Sequence, residues 1–109
     1  MVEFSEPMTR VLEGHRPQLL ELCRKYRVRR LDVFGSAARG DFNERSSDVD
    51  LLVEFDDRPH ADRADAYLGF LMALEALLRR RVDLVELGAV RNPYLRRGIE
   101  ESRELAYAA

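Results

Sequence analysis

A chain of 109 residues and 12.6 kDa, 46% hydrophobic and 35% charged, has the profile of one soluble globular domain and leaves no room for two. A formal net charge of −2 and a pI of about 5.7 give no general attraction to polyanions, which disfavours direct nucleic-acid binding by counterion release. The single Cys23 excludes an internal disulfide and, with only two histidines, a Cys/His zinc site. No signal-peptide pattern opens the chain and no apolar run approaches the ~18–20 residues that span a bilayer, so a cytoplasmic domain with no membrane partner is expected.

Without repeat or linker, residues 1–109 read as one domain, with residues 1–15 as an N-terminal extension that carries a short helical piece around Met8 to Leu12, broken by Gly14. Pro17 at a first helical position, then Leu19, Leu20, Leu22, Cys23 and Tyr26, predicts a helix running into the basic cluster Lys25, Arg27, Arg29 and Arg30. Leu31 to Phe34, stopped by Gly35, predicts a strand entering a tight turn. After a polar stretch from Arg39 to Ser47, the run Val49 to Phe55 is the strongest strand signal in the chain, closed by Asp56, Asp57 and Pro59. Ala64, Tyr67, Leu68, Leu71, Met72, Leu74 and Leu78 recur at three and four and predict a long helix from about Ala61 to Arg81. Its last turn would be Arg79-Arg80-Arg81, where three cations face the negative end of the helix dipole, a structural use rather than a nucleic-acid site. Val82 to Leu87 reads as a third strand ended by Gly88. Asn92-Pro93 caps a last helix carrying Tyr94, Leu95, Ile99, Leu105 and Ala106. The order predicts an α/β domain: a small mixed sheet with helices packed on one face.

Familiar phosphate-binding devices are missing. The only lysine, Lys25, lies inside a helical stretch rather than in a Gly-Lys-Ser/Thr loop, and Gly35 and Gly40 do not make a dinucleotide fingerprint. His15 and His60 sit in charged surroundings with no fixed partner, as surface histidines do. What remains is Phe34-Gly35-Ser36-Ala37-Ala38-Arg39-Gly40 followed by Ser47-Asp48-Val49-Asp50. Alone, Gly-Ser after a strand is commonly a turn, and Asp-x-Asp at a strand start is commonly solvated charge. Together they describe a site: Gly35 lets the backbone approach an anion, Ser36 adds a hydroxyl, and the residues that follow can open a helix whose free N–H groups favour phosphate. Period two puts Asp48 and Asp50 on one face of a strand, roughly 7 Å apart at Cα, within reach of one or two hard cations. Mg²⁺ combines one or two carboxylates with substrate phosphates. A third acid is then expected on a neighbouring strand, and Asp83 interrupts an otherwise apolar one; its alternative role is a structural salt bridge to an arginine.

The Gly35-Ser36-x-Ala38-Arg39-Gly40 block, the Ser47-Asp48-Val49-Asp50-Leu51-Leu52-Val53 strand and the later Val82-Asp83-Leu84-Val85 strand resemble the minimal nucleotidyltransferase (MNT) family of the DNA polymerase beta-like nucleotidyltransferase superfamily. The resemblance spans about residues 17–107, including Asn92-Pro93-Tyr94-Leu95 and Leu105-x-Tyr107. The spacer between Ser36 and Asp48, residues 37–47, is one residue longer than is usual in these proteins. The resemblance implies the nucleotidyltransferase fold. It implies that Gly35, Ser36 and Arg39 bind the nucleotide's phosphates, that Asp48, Asp50 and Asp83 are the catalytic, metal-binding carboxylates, and that Mg²⁺ is the cofactor with ATP as substrate. It further implies transfer of AMP to a hydroxyl, expected to be a tyrosine, of a HEPN-domain toxin partner, with this chain as antitoxin. The alternative is a non-catalytic antitoxin that neutralises its partner by occlusion.

Overall fold

The computed structural model describes residues 12–35, 49–56 and 60–109. Helix α1, Arg16–Lys25, begins with Pro17 in its first turn, where a missing N–H costs nothing, and follows a 3-10 turn at Glu13–His15. Arg27 takes a left-handed φ of 58° and turns the chain into β1, Val28–Phe34. Arg29 and Arg30 therefore lie on the strand rather than at the helix end, and β1 is three residues longer at its start than the apolar run indicates. Strand β2, Val49–Phe55, falls as the sequence predicts.

Helix α2 is His60–Leu78. Arg79 adopts φ 55° and its N–H closes on the Glu75 carbonyl at 2.8 Å, so Arg79, Arg80 and Arg81 lie beyond the last turn and form the link to β3, Val82–Glu86. Gly69 of α2 packs against Tyr26, the residue that follows α1: a Cβ there would stand 2.7 Å from Cε1 of Tyr26. After a 3-10 turn at Leu87–Ala89, the Asn92 side chain accepts from the N–H groups of Tyr94 and Leu95 and starts α3, Pro93–Ser102. The helix stops there. Leu105 and Ala106, expected on its face, belong instead to a fourth strand, β4, Glu104–Ala108, which pairs antiparallel with β1.

The sheet order is β3-β2-β1-β4, with β2 and β3 parallel and the other pairs antiparallel. The result is a mixed α/β sheet. Alternation along the strands sends Leu31 and Val33 of β1, Val49, Leu51 and Val53 of β2, and Val82 and Leu84 of β3 to one face, where Leu19, Cys23, Phe70 and Leu74 of α1 and α2 complete the main core. Leu12, expected in an extension, is fully buried in that core. Phe34 and Leu52 point the other way and are covered by Ile99 of α3 in a second, smaller cluster. Helices on one face thus holds for α1 and α2, whereas α3 covers the opposite face because those two large side chains need shelter from water. Among the described residues no helix is long and apolar enough to cross a membrane.

The second face also holds the fully buried Asp32, whose carboxylate accepts from Nε of Arg30 at 3.1 Å and from Nε of Arg103 at 3.0 Å, with Nη2 of Arg103 closing the fork. Arg103 follows α3 directly, so this pair fixes where the helix ends and β4 begins. Asp32→Ala should strand two cations and cost about 3 kcal/mol, the low end for a broken buried pair because both arginines retain access to water. Urea unfolding checks this; a loss under about 0.5 kcal/mol would show the pair to be dispensable.

Candidate active site

The second face carries a row of three residues at one end of the sheet. Gly35 closes β1 with φ 69°, a conformation that side chains disfavour. A Cβ on it would lie 2.2 Å from Oδ2 of Asp50, so the Asp50 carboxylate rests against the glycine where any other residue would collide. Phe34 is the register partner of Asp50 on β1, and Asp83 is its register partner on β3. Neighbouring strands run roughly 4.8 Å apart, and paired residues share a face, so Asp50 and Asp83 stand side by side next to the glycine turn. Their neighbours Val49, Leu51, Val82 and Leu84 are buried in the main core, which locks the register that aims both acids outward. The Gly35 N–H donates to Oγ of Ser102 at 3.4 Å, and that hydroxyl donates to the Gly98 carbonyl at 2.9 Å, tying the turn to the end of α3.

Asp83 is exposed and forms no salt bridge with a described residue, so the structural salt bridge considered for it is not made there. The structural acid of this fold is Asp32. Its role escapes sequence reasoning because its partner Arg103 is 71 positions away. Ser36, Arg39 and Asp48 lie outside the described residues. Among the described residues no group of three or more His, Cys, Asp or Glu side chains could hold a metal ion; Asp50 and Asp83 are two such donors, and Asp48 is the third that sequence expects. Cys23, with its thiol pushed up to about 12 by burial, is an inert core residue rather than a nucleophile.

Among the described residues β3 is an edge strand, paired with β2 alone. On its other side two α2 side chains grip the residues flanking Asp83: Glu75 Oε2 accepts from the Val82 N–H at 3.1 Å, and the Tyr67 hydroxyl donates to the Leu84 carbonyl at 2.5 Å. These bonds satisfy groups that an open edge would leave to water or to another chain. Burial raises the Tyr67 pKa above its ordinary 10, and the negative charges of Asp83 and Glu86 raise it further. A raised folded-state value favours the neutral phenol, so the stability it contributes is complete below pH 10 and fades as pH climbs through the folded-state pKa. Tyr67→Phe should cost roughly 1 kcal/mol at pH 7 and should lack this alkaline decline, read by urea unfolding between pH 7 and 11. Equal alkaline slopes in both proteins would contradict the assignment.

A family model described as nucleotidyltransferase domain matches residues 16–106. A Methanocaldococcus jannaschii relative with the provisional designation protein adenylyltransferase MJ0128 is 42% identical over 94 residues, covering 84% of this chain and 86% of the relative. The protein adenylyltransferase MntA of Thermococcus cleftensis is 40% identical over 80 residues, covering 73% and 74%. Among solved structures, one described provisionally as a minimal nucleotidyltransferase superposes with a TM-score of 0.65 at 36% identity, over 87% of this chain and 92% of the other. The MNT antitoxin–HEPN toxin complex of Shewanella oneidensis, with the toxin tri-AMPylated, is similar to this fold at a TM-score of 0.59 and 18% identity, over 89% of this chain and 72% of the matched one.

Proposed function

The chain belongs to the nucleotidyltransferase domain family, and on that premise we propose that it moves AMP from ATP to a tyrosine hydroxyl of a HEPN-domain toxin, and so acts as the toxin's antitoxin. The observation that carries this reading is the row Gly35, Asp50 and Asp83, an anion-approach turn beside two outward carboxylates fixed by strand register. Relatives named protein adenylyltransferases support the reaction class, and the complex with a tri-AMPylated HEPN toxin supports the acceptor.

In this reading Gly35 and Ser36 cradle the β- and γ-phosphates, with Arg39 as a further phosphate ligand. Asp48, Asp50 and Asp83 are hard oxygen donors of the kind Mg²⁺ prefers and would hold it. When bound, the metal neutralises the charge that builds on the transferring phosphoryl group. Asp83 faces the acceptor. As the tyrosine oxygen bonds to the α-phosphorus, the bond from that phosphorus to the α,β-bridging oxygen breaks and pyrophosphate leaves. The phenolic proton passes to the Asp83 carboxylate and from there to water. Gly35 tolerates no larger residue, because its open face is what lets the Asp50 carboxylate and the phosphates share one corner.

The test is a titration of toxin activity against this protein, with and without ATP and Mg²⁺, followed by mass analysis of the toxin. Transfer gives time-dependent, substoichiometric inactivation that needs ATP, and a mass gain of one or more AMP units on tyrosine. Neutralisation by occlusion gives a sharp break at equivalence, indifferent to ATP, and would overturn the proposal.

A further inference from the structure

A groove of about 560 Å³ runs along the outer side of β3, between α2 and the segment that leads to α3. Its walls are chiefly apolar, with Tyr67 and Leu68 on one side and Val85 and Val90 on the other, while Arg63 and Glu86 supply the charges. Taking the transfer reaction above as given, we propose that this groove receives the acceptor-bearing segment of the partner protein, an apolar stretch with an acidic side chain beside the hydroxyl residue.

Three observations point to that occupant. The first is position. In-line displacement puts the leaving group and the nucleophile on opposite sides of the transferring phosphorus. With the phosphates at Gly35 and the acids in register across β2 and β3, the leaving group lies over β1 and the nucleophile arrives over β3, where the groove begins at Leu84, next to Asp83. The second is exposed apolar surface. Of the five exposed large hydrophobic side chains among the described residues, Leu68 (56%) and Met72 (69%) share one face of α2 beside the groove. Leu68 lines the groove and Met72 follows one turn later, so the α2 wall offers an exposed apolar strip of the kind that marks a contact surface. The third is charge. Arg63 lines the groove and forms no salt bridge with a described residue. A carboxylate on the occupant would pair with its guanidinium, which selects an acidic segment over a purely apolar one.

One donor and one acceptor of the β3 edge, the Val82 N–H and the Leu84 carbonyl, are already taken by Glu75 and Tyr67, which favours docking by side chains over addition of a strand to the sheet.

The experiment compares the wild-type chain with Leu68→Asp, Arg63→Gln and the control Leu105→Asp, whose side chain is exposed on β4 away from the groove. Each is titrated with the HEPN-domain partner for Kd and for the KM of AMP transfer, and each is melted with and without Mg-ATP. Leu68→Asp and Arg63→Gln should weaken partner binding and raise the partner KM at least tenfold while keeping the Mg-ATP melting shift; Leu105→Asp should match wild type in both. Partner Kd unchanged in both groove variants would overturn the proposal. Loss of the Mg-ATP shift with partner Kd intact would also overturn it, assigning the groove to the nucleotide. Binding is read independently of turnover, so a wild-type chain that binds without transferring AMP would refute the reaction and still test the groove.

Discussion

Asp50→Asn should abolish the Mg-ATP response while leaving the fold in place. Asn preserves the shape that packs against Gly35, so β2 keeps its register and the open corner is retained. What it removes is charge. In the free protein two carboxylates on adjacent strands repel each other, and the substitution removes that repulsion. With wild-type protein at 100-fold over the dissociation constant, Mg-ATP contributes about 2.7 kcal/mol by mass action, on the order of 10 °C for a chain of this size. The variant should lose that increment. Transfer should fall roughly 10³-fold, the size expected when several kcal/mol of charge stabilisation at the phosphoryl group disappears. A calorimetric or dye-based melt with and without Mg-ATP reads the first effect, and labelled AMP on the partner reads the second. A full melting shift in the variant would remove Asp50 from the metal site.

Local pattern and long-range contact divide the legibility of this chain. Strand β2 was legible because five apolar positions out of seven, two of them β-branched, have few alternatives, and α1 because Pro17 and the leucine spacing agree. The turn at Gly35 was legible too, since a glycine after an apolar strand has few uses. Strand β4 was not, because Ala106 falls seven positions after Ile99 and Leu105 eleven after Tyr94, spacings that also suit a helix. What ends α3 is the hold of buried Asp32 on Arg103, a contact no local window contains. The same reason hid the role of Asp32, which reads as one polar residue in a short strand. Asp50 and Asp83 could be singled out as acids interrupting apolar runs. Their juxtaposition follows from the parallel register of β2 on β3, set by the two valine–leucine faces that pack onto α2. The clamp from Tyr67 and Glu75 was invisible because both lie at helical positions where sequence predicts packing rather than hydrogen bonding.

Asp83→Asn separates proton removal from metal binding. Because Asp83 is exposed and makes no salt bridge with a described residue, the substitution should change stability by no more than about 0.5 kcal/mol. Val82 and Leu84 stay clamped on either side, so the amide should occupy the place of the carboxylate. If Asp83 takes the acceptor's proton, transfer should slow by roughly 10²–10⁴-fold with the Mg-ATP melting shift largely retained, the range that general-base groups contribute. A neutral amide still accepts a hydrogen bond from the tyrosine hydroxyl but cannot take its proton, so the partner's KM should move far less than kcat. Loss of the Mg-ATP shift together with transfer would make Asp83 chiefly a metal ligand, in line with Asp50 beside it. Loss of the fold would return it to a structural role, which its exposure argues against. The three outcomes are read from the same two measurements, the melt and single-turnover transfer to the partner.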